Sequence, residues 1–176
     1  GGPSVQVWTN SGVSLAGFYA YATNFTGGVD VAVGDVITGG ESEIVTGPGA
    51  GGIADTRVYN ETGSQQATPF NAYGTCTGGE RVTTIDRDFD GTSEIVTGAM
   101  AGGGPHIEVW NSTGSVQYAS YYAFDPNFVG GVDVGGDQKS DALAVTTASQ
   151  DTVLVTPTDA SYFRLPYAPF LGGASV

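Results

Sequence analysis

Residues 86–98 read Asp86-Arg-Asp-Phe-Asp-Gly-Thr-Ser-Glu-Ile-Val-Thr-Gly98, and residues 35–47 read Asp35-Val-Ile-Thr-Gly-Gly-Glu-Ser-Glu-Ile-Val-Thr-Gly47. The two stretches share their first residue and their last six, and they stand 51 residues apart. Working outward, the same offset relates Thr9, Asn60 and Asn111, then Gly12, Gly63 and Gly114, then Asp35, Asp86 and Asp137. A period of this length marks a repeat whose units bury a core only against their neighbours. The chain reads as one domain over 1–176, with repeats at about 1–50, 51–101 and 102–150 and a partial one at 151–176.

Each repeat carries four strand signals. Gly27-Gly-Val-Asp-Val-Ala-Val-Gly-Asp35, Gly78-Gly-Glu-Arg-Val-Thr-Thr-Ile-Asp86 and the one-residue-shorter Gly130-Gly-Val-Asp-Val-Gly-Gly-Asp137 are short strands entered through a Gly-Gly turn. Glu43–Gly47, Glu94–Gly98 and a weaker Ala142–Thr146 are the second, each followed by a tight turn. Ser4–Trp8, Thr56–Tyr59 and His106–Trp110 alternate apolar with polar residues, which predicts one face against a core. After a hairpin turn, an aromatic fourth strand is expected at Phe18–Tyr21, Phe70–Tyr73 and Tyr121–Phe124.

Four strands in about 50 residues is the size of one β-propeller blade, so the expected fold is all-β, an array of four-stranded antiparallel blades. Starting each blade at its Gly-Gly strand gives three, at about 29–77, 80–128 and 131–171, with an orphan strand pair at 3–22. In the tail, Asp151–Val155 resembles Asp55–Tyr59, and Phe170–Val176 resembles Phe128–Val134, the start of a further blade. Three completions stay open: the orphan pair joins the C-terminal strand, identical copies supply the missing surface, or the chain is a piece of a longer propeller. The start at Gly1, inside a repeat, suggests a processed form or fragment.

Composition narrows the function. Five basic and eighteen acidic residues give a net charge of −13, which repels phosphate backbones and anionic membranes. No apolar run approaches the roughly 18 residues of a membrane span, and no signal peptide is visible. The single cysteine, Cys76, forms no internal disulfide and reads as a small apolar filler.

Asp86, Asp88 and Asp90 present carboxylates on alternate residues, Gly91 permits a sharp turn, and Glu94 stands at the ninth position. Calcium takes six to eight oxygens, so this loop is read as one calcium site made of Asp86, Asp88, Asp90 and Glu94, with the Phe89 carbonyl as a further oxygen. An Asp-Gly hairpin turn with solvated carboxylates is the competing reading. The loop at Asp35 keeps the outer acids and loses the middle pair; the one at Asp137 is shorter. Asp35 and Asp137 are therefore read as turn formers.

The acidic loop followed by Glu-Ile-Val-Thr-Gly and a Gly-rich turn resembles the FG-GAP, or VCBS-like, repeat, the blade unit of integrin α-chain propellers and of many bacterial extracellular proteins. The resemblance covers nearly the whole chain and is most specific at 86–98. It implies an extracellular propeller whose calcium is structural, held between the first two strands of a blade. The family pattern usually has Asp where Glu94 stands.

No catalytic residue is assigned. His106 is the only histidine, on the alternating third strand, and offers the one route to a nucleophile–base pair. Asn24, Asn60 and Asn111 begin Asn-x-Ser/Thr sequons and are glycosylation candidates, although Asn is also an ordinary turn residue. Tyr19, Tyr21, Tyr121 and Tyr122 read as core between blades before they read as a sugar-stacking face.

The leading expectation is a non-catalytic, secreted or cell-surface, calcium-stabilised repeat protein with a structural or adhesive role. Its expected partners are identical copies, through exposed edge strands, with glycans or cell-surface proteins as further candidates. Neither nucleic-acid binding nor membrane insertion is expected. The alternatives are a lectin-like or protein-binding module, a fragment of a larger surface protein and, more distantly, an enzyme using acids at the blade tops.

Overall fold

The structure, a computed structural model, describes residues 1–138, 142–147 and, for the backbone alone, 150–157. It is all-β, with antiparallel sheets built from strands adjacent in sequence. Strands β1 (Ser4–Trp8) and β2 (Ser14–Tyr19) form a two-stranded sheet. The first full sheet is β3 (Val29–Gly34), β4 (Glu43–Pro48), β5 (Asp55–Tyr59) and β6 (Phe70–Asn71). The second is β7 (Glu80–Ile85), β8 (Glu94–Ala99), β9 (His106–Trp110) and β10 (Gln117–Tyr122). The third joins β11 (Val132–Gly136), β12 (Ala142–Thr147) and β13 (Gln150–Pro157). The expected strand at Phe170–Val176 lies outside the described residues, and among the described residues the sheets do not close into a barrel or ring.

The first three strands of each repeat fall where the alternation and the Gly-Gly turns place them. The fourth differs. It starts earlier, at Ser14 and Gln117, in two of the repeats, although the same turn precedes it in all three: Gly12 N–H bonds back to Thr9 O at 2.9 Å, Gly63 N–H to Asn60 O at 3.0 Å and Gly114 N–H to Asn111 O at 3.1 Å. In the first full sheet it shrinks to Phe70–Asn71, directly after Pro69, which has no N–H to give to a ladder.

The aromatic residues at the end of this strand leave the sheet and enter the next. Tyr21 Oη lies 3.0 Å from Thr46 O, 3.2 Å from Thr46 Oγ1 and 2.9 Å from Asp55 O. Tyr73 repeats this one sheet on, 2.9 Å from Thr97 Oγ1 and 3.1 Å from His106 O. At the third junction Phe124 takes the tyrosine's place in the sequence and Val145 the threonine's. The register shows the latter: Thr46 pairs with Val31, Thr97 with Val82 and Val145 with Val134. Both hydroxyls disappear together, so neither is left in the core without the other.

The core lies between sheets. Val5, Ala20, Ile44 and Tyr59 join the small sheet to the first; Val36, Val45, Val58, Val82 and Ile95 join first to second; Ile85, Val96, Ile107, Val109, Val132, Leu143 and Val145 join second to third. Gly79 shows how closely the junctions approach. Its φ is +84°, and a Cβ there would sit 2.6 Å from both Pro48 O and Gly49 C.

The first strands of successive sheets are also tied directly. Asp30 Oδ2 accepts from Val82 N–H at 2.8 Å, Thr84 Oγ1 donates to Val33 O at 2.9 Å, and Gly136 N–H donates to Thr83 Oγ1 at 2.8 Å. Arg81 bridges both ways, with Nη1 3.2 Å from Asp30 and Nε 3.5 Å from Asp133. Gln138 Nε2 reaches Val33 O, two sheets away, and lies 3.2 Å from Thr84 Oγ1.

The tyrosine latch makes a prediction. Tyr73→Phe and Thr97→Val each lower unfolding free energy by about 1–2 kcal/mol, and the double variant costs less than their sum, because it recreates the pair at Phe124 and Val145. Urea denaturation of the four proteins checks this; additive costs would count against the latch.

Candidate functional site

The acidic loop connects β7 to β8. It brings three of the expected groups together: carboxylate oxygens of Asp86, Asp88 and Asp90 lie within 4.8 Å of one another. Asp86 is 9% exposed at the end of the buried first strand, whereas Asp88 and Asp90 stand in solvent. The backbone turns through two left-handed residues, Phe89 at φ 60° and Gly91 at φ 89°. Phe89 is the one non-glycine with positive φ among the described residues. Such a conformation is uncommon for a bulky side chain, and this one is 64% exposed.

Two carboxylates also hold the turn. Gly91 N–H donates to Asp86 Oδ2 at 3.1 Å and Thr92 N–H to Asp90 Oδ1 at 2.7 Å. Asp86 Oδ1 is buried with no hydrogen-bond donor. Three carboxylates gathered around a buried, undonated oxygen fit a hard divalent cation, which would neutralise their repulsion. Asp35 Oδ1 is likewise buried without a donor, in a loop with Ile37 and Gly39 where Asp88 and Asp90 stand. The orphan oxygen therefore belongs to both loops, and the middle carboxylates distinguish the second.

Glu94 is placed differently from the three aspartates. Its Oε2 accepts the Arg87 N–H at 3.0 Å. Burial pushes its carboxyl up to about 7; the Arg87 N–H and guanidinium act the other way, and Asp88 and Asp90 add to the rise. Beside the loop runs an open cleft of about 350 Å³, lined by Thr38, Asp90, Glu94, Asn111 and Tyr118 among others. Arg87 lies over the Tyr118 ring, 4.9 Å from its centroid.

The sequon residues have a turn role. Asn60 Oδ1 accepts from Thr62 N–H at 3.1 Å and Ser64 N–H at 2.9 Å, and Asn111 Oδ1 from Ser115 N–H at 3.0 Å. Thr9, at the same repeat position, accepts from Val13 N–H with Oγ1 at 3.0 Å. Asn24 is exposed in the turn after β2.

His106 Nε2 lies 2.8 Å from Ser120 Oγ and 3.6 Å from Glu108 Oε1. Serine and carboxylate meet the same ring nitrogen, so the three do not form a nucleophile–base–acid relay, which uses both nitrogens. Burial lowers the His106 pKa and raises that of Glu108 to about 7.

Glu80 belongs to no motif of the sequence. It is wholly buried between the first and second sheets, where Val29 and Val132 stand in the other repeats. Its Oε1 accepts from Thr56 Oγ1 at 2.8 Å and its Oε2 has no donor. Burial raises its pKa from 4.5 to about 8, opposed by the Thr56 hydrogen bond and reinforced by Asp55, Glu108 and Asp30. The signal was available, as an acid in an otherwise apolar register position.

Glu80 sets a pH dependence. Its carboxyl stays neutral in the fold up to about pH 8 but ionises in the unfolded chain from about pH 4.5, so its cost is absent below about pH 4.5, grows between there and about pH 8, and is constant above, where both states are ionised. Glu80→Gln keeps an acceptor for Thr56 and is expected to exceed the parent in stability by a margin that widens at up to about 1.4 kcal/mol per pH unit across that window. Thermal or urea unfolding at pH 4, 6 and 8 reads it; a margin that stays constant with pH would refute the assignment. A scan against models of known protein families finds no match to this chain, and a search of curated proteins finds none either.

Proposed function

We propose that this chain is a non-catalytic, extracellular repeat protein of β-propeller type, akin to FG-GAP proteins, with a structural or adhesive role exerted by joining identical copies. One calcium ion, held by Asp86, Asp88 and Asp90, stiffens it. The propeller reading is supported by the side-by-side first strands and by Gln138, which contacts the first and second sheets from the third.

One observation carries the assembly reading. Val31 and Val33 on β3 are 50% and 55% exposed, whereas Val82 and Thr84, at the same register on β7, are 4% and 3% exposed. What covers β7 is the preceding sheet's first two strands. The small sheet ahead of β3 has only β1 and β2, the equivalents of third and fourth strands, so it leaves these valines open and has no hydrogen-bonded neighbour for β1 beyond β2 among the described residues. An open edge beside an apolar face is a template for another chain.

The ligand-binding alternative has the cleft beside Asp90 and Tyr118 in its favour. Sedimentation separates the two. Assembly predicts species larger than one chain that grow with protein concentration, shrink with a chelator, and are lost in a Val31→Lys/Val33→Lys double variant. A monomer at every concentration, unaffected by calcium, would sink it. Calcium is further expected to raise Tm in the parent protein and much less in Asp88→Asn.

A further inference from the structure

Glu43 and Glu94 occupy one position in two loops of different chemistry. Each opens a second strand opposite the last residue of the first strand, Glu43 against Gly34 and Glu94 against Ile85. Both are buried, at 7% and 6% exposure. Glu43 Oε2 accepts from Val36 N–H at 3.0 Å and Ile37 N–H at 3.1 Å; Glu94 Oε2 accepts from Arg87 N–H at 3.0 Å, the residue equivalent to Val36. The side chain thus spans the mouth of the loop and takes up backbone donors left by the end of the first strand.

The clamp does not depend on the middle carboxylates, since the first loop has Ile37 and Gly39 in their place and keeps it. The shorter third loop has no glutamate at this position. In the third sheet Ala142 stands at the glutamate position, and Asp137 N–H donates directly to Ala142 O at 3.3 Å. The two clamped loops also touch, through Ser93 N–H and Asp35 O at 2.6 Å.

We propose that the glutamate at the ninth loop position is a backbone clamp, and that Glu94, which stands outside the group of Asp86, Asp88 and Asp90 carboxylates gathered within 4.8 Å of one another, positions those three for the ion without itself contributing an oxygen to it. The ion half of this rests on the calcium site proposed above; the first loop tests the clamp without any ion. A glutamine keeps an acceptor oxygen for the N–H and loses the charge, whereas alanine loses both.

Calorimetric titration with calcium chloride distinguishes the roles. As a clamp, Glu94→Gln binds calcium within a few-fold of the parent, Glu94→Ala binds about 10- to 100-fold more weakly, and Asp90→Asn, a direct ligand change, is weakened in spite of its intact glutamate. Equal losses in Glu94→Gln and Asp90→Asn would overturn the positioning role and leave the calcium site standing. In the first loop, amide hydrogen exchange at Val36 and Ile37 is expected to speed up about tenfold or more in Glu43→Ala and to stay near the parent rate in Glu43→Gln. Unchanged exchange in Glu43→Ala would overturn the clamp itself. A parent protein that binds no calcium would overturn the ion half alone, with the exchange result deciding the clamp.

Discussion

Everything in this structure depends on the fact that no sheet has a core of its own. Each is four short strands or fewer, and its buried side chains, such as Val45 and Val58 or Ile107 and Val109, meet those of the next sheet. Apolar burial at about 25 cal/mol per Å² is gained only when sheets stack, so stability belongs to the junctions. The glycines and hydroxyls serve the same end. Gly79 lets backbones approach where a Cβ would collide, and the tyrosines at 21 and 73 carry a hydrogen bond from one sheet into the core of the next.

In such a stack the coverage of each face depends on the sheet beside it. Interior junctions cover both faces of a sheet, while the face of the first full sheet toward the small sheet is covered at Ile44 on β4 and Tyr59 on β5 and open at Val31 and Val33 on β3. The acidic loop sits at another consequence of stacking. Loops of adjacent sheets lie side by side and share a backbone hydrogen bond, so the acidic loop is mechanically connected to its neighbour. The junctions also tolerate exceptions. Glu80 replaces a valine at a buried position, and Arg81 faces two aspartates across the first strands, giving the acidic chain a cation where three sheets meet.

Much of this was legible from the residues. Gly-Gly turns and strict alternation locate the first three strands, because a period of two and a left-handed turn leave few other conformations. The return strand departs from its pattern at its ends, since aromatic residues such as Tyr21 and Tyr73 look like strand and instead leave the sheet to bond across a junction. Asp86, Asp88 and Asp90 come together as their alternate spacing requires, whereas spacing carries no sign that Glu94 accepts the Arg87 N–H. Whether a carboxylate faces its neighbours or a backbone N–H depends on which donors the loop leaves unpaired.

The residues by themselves determined the repeat, its strand order and the crowding of acids at 86–90, because these follow from local periodicity and backbone freedom. Only the tertiary structure decided which faces are covered, that Tyr73 pairs with Thr97 and Phe124 stands without a hydroxyl partner, and that Glu43 and Glu94 both accept backbone donors. Those outcomes depend on what lies across a junction, and a residue's own stretch of chain carries no record of the surface that will be stacked on it.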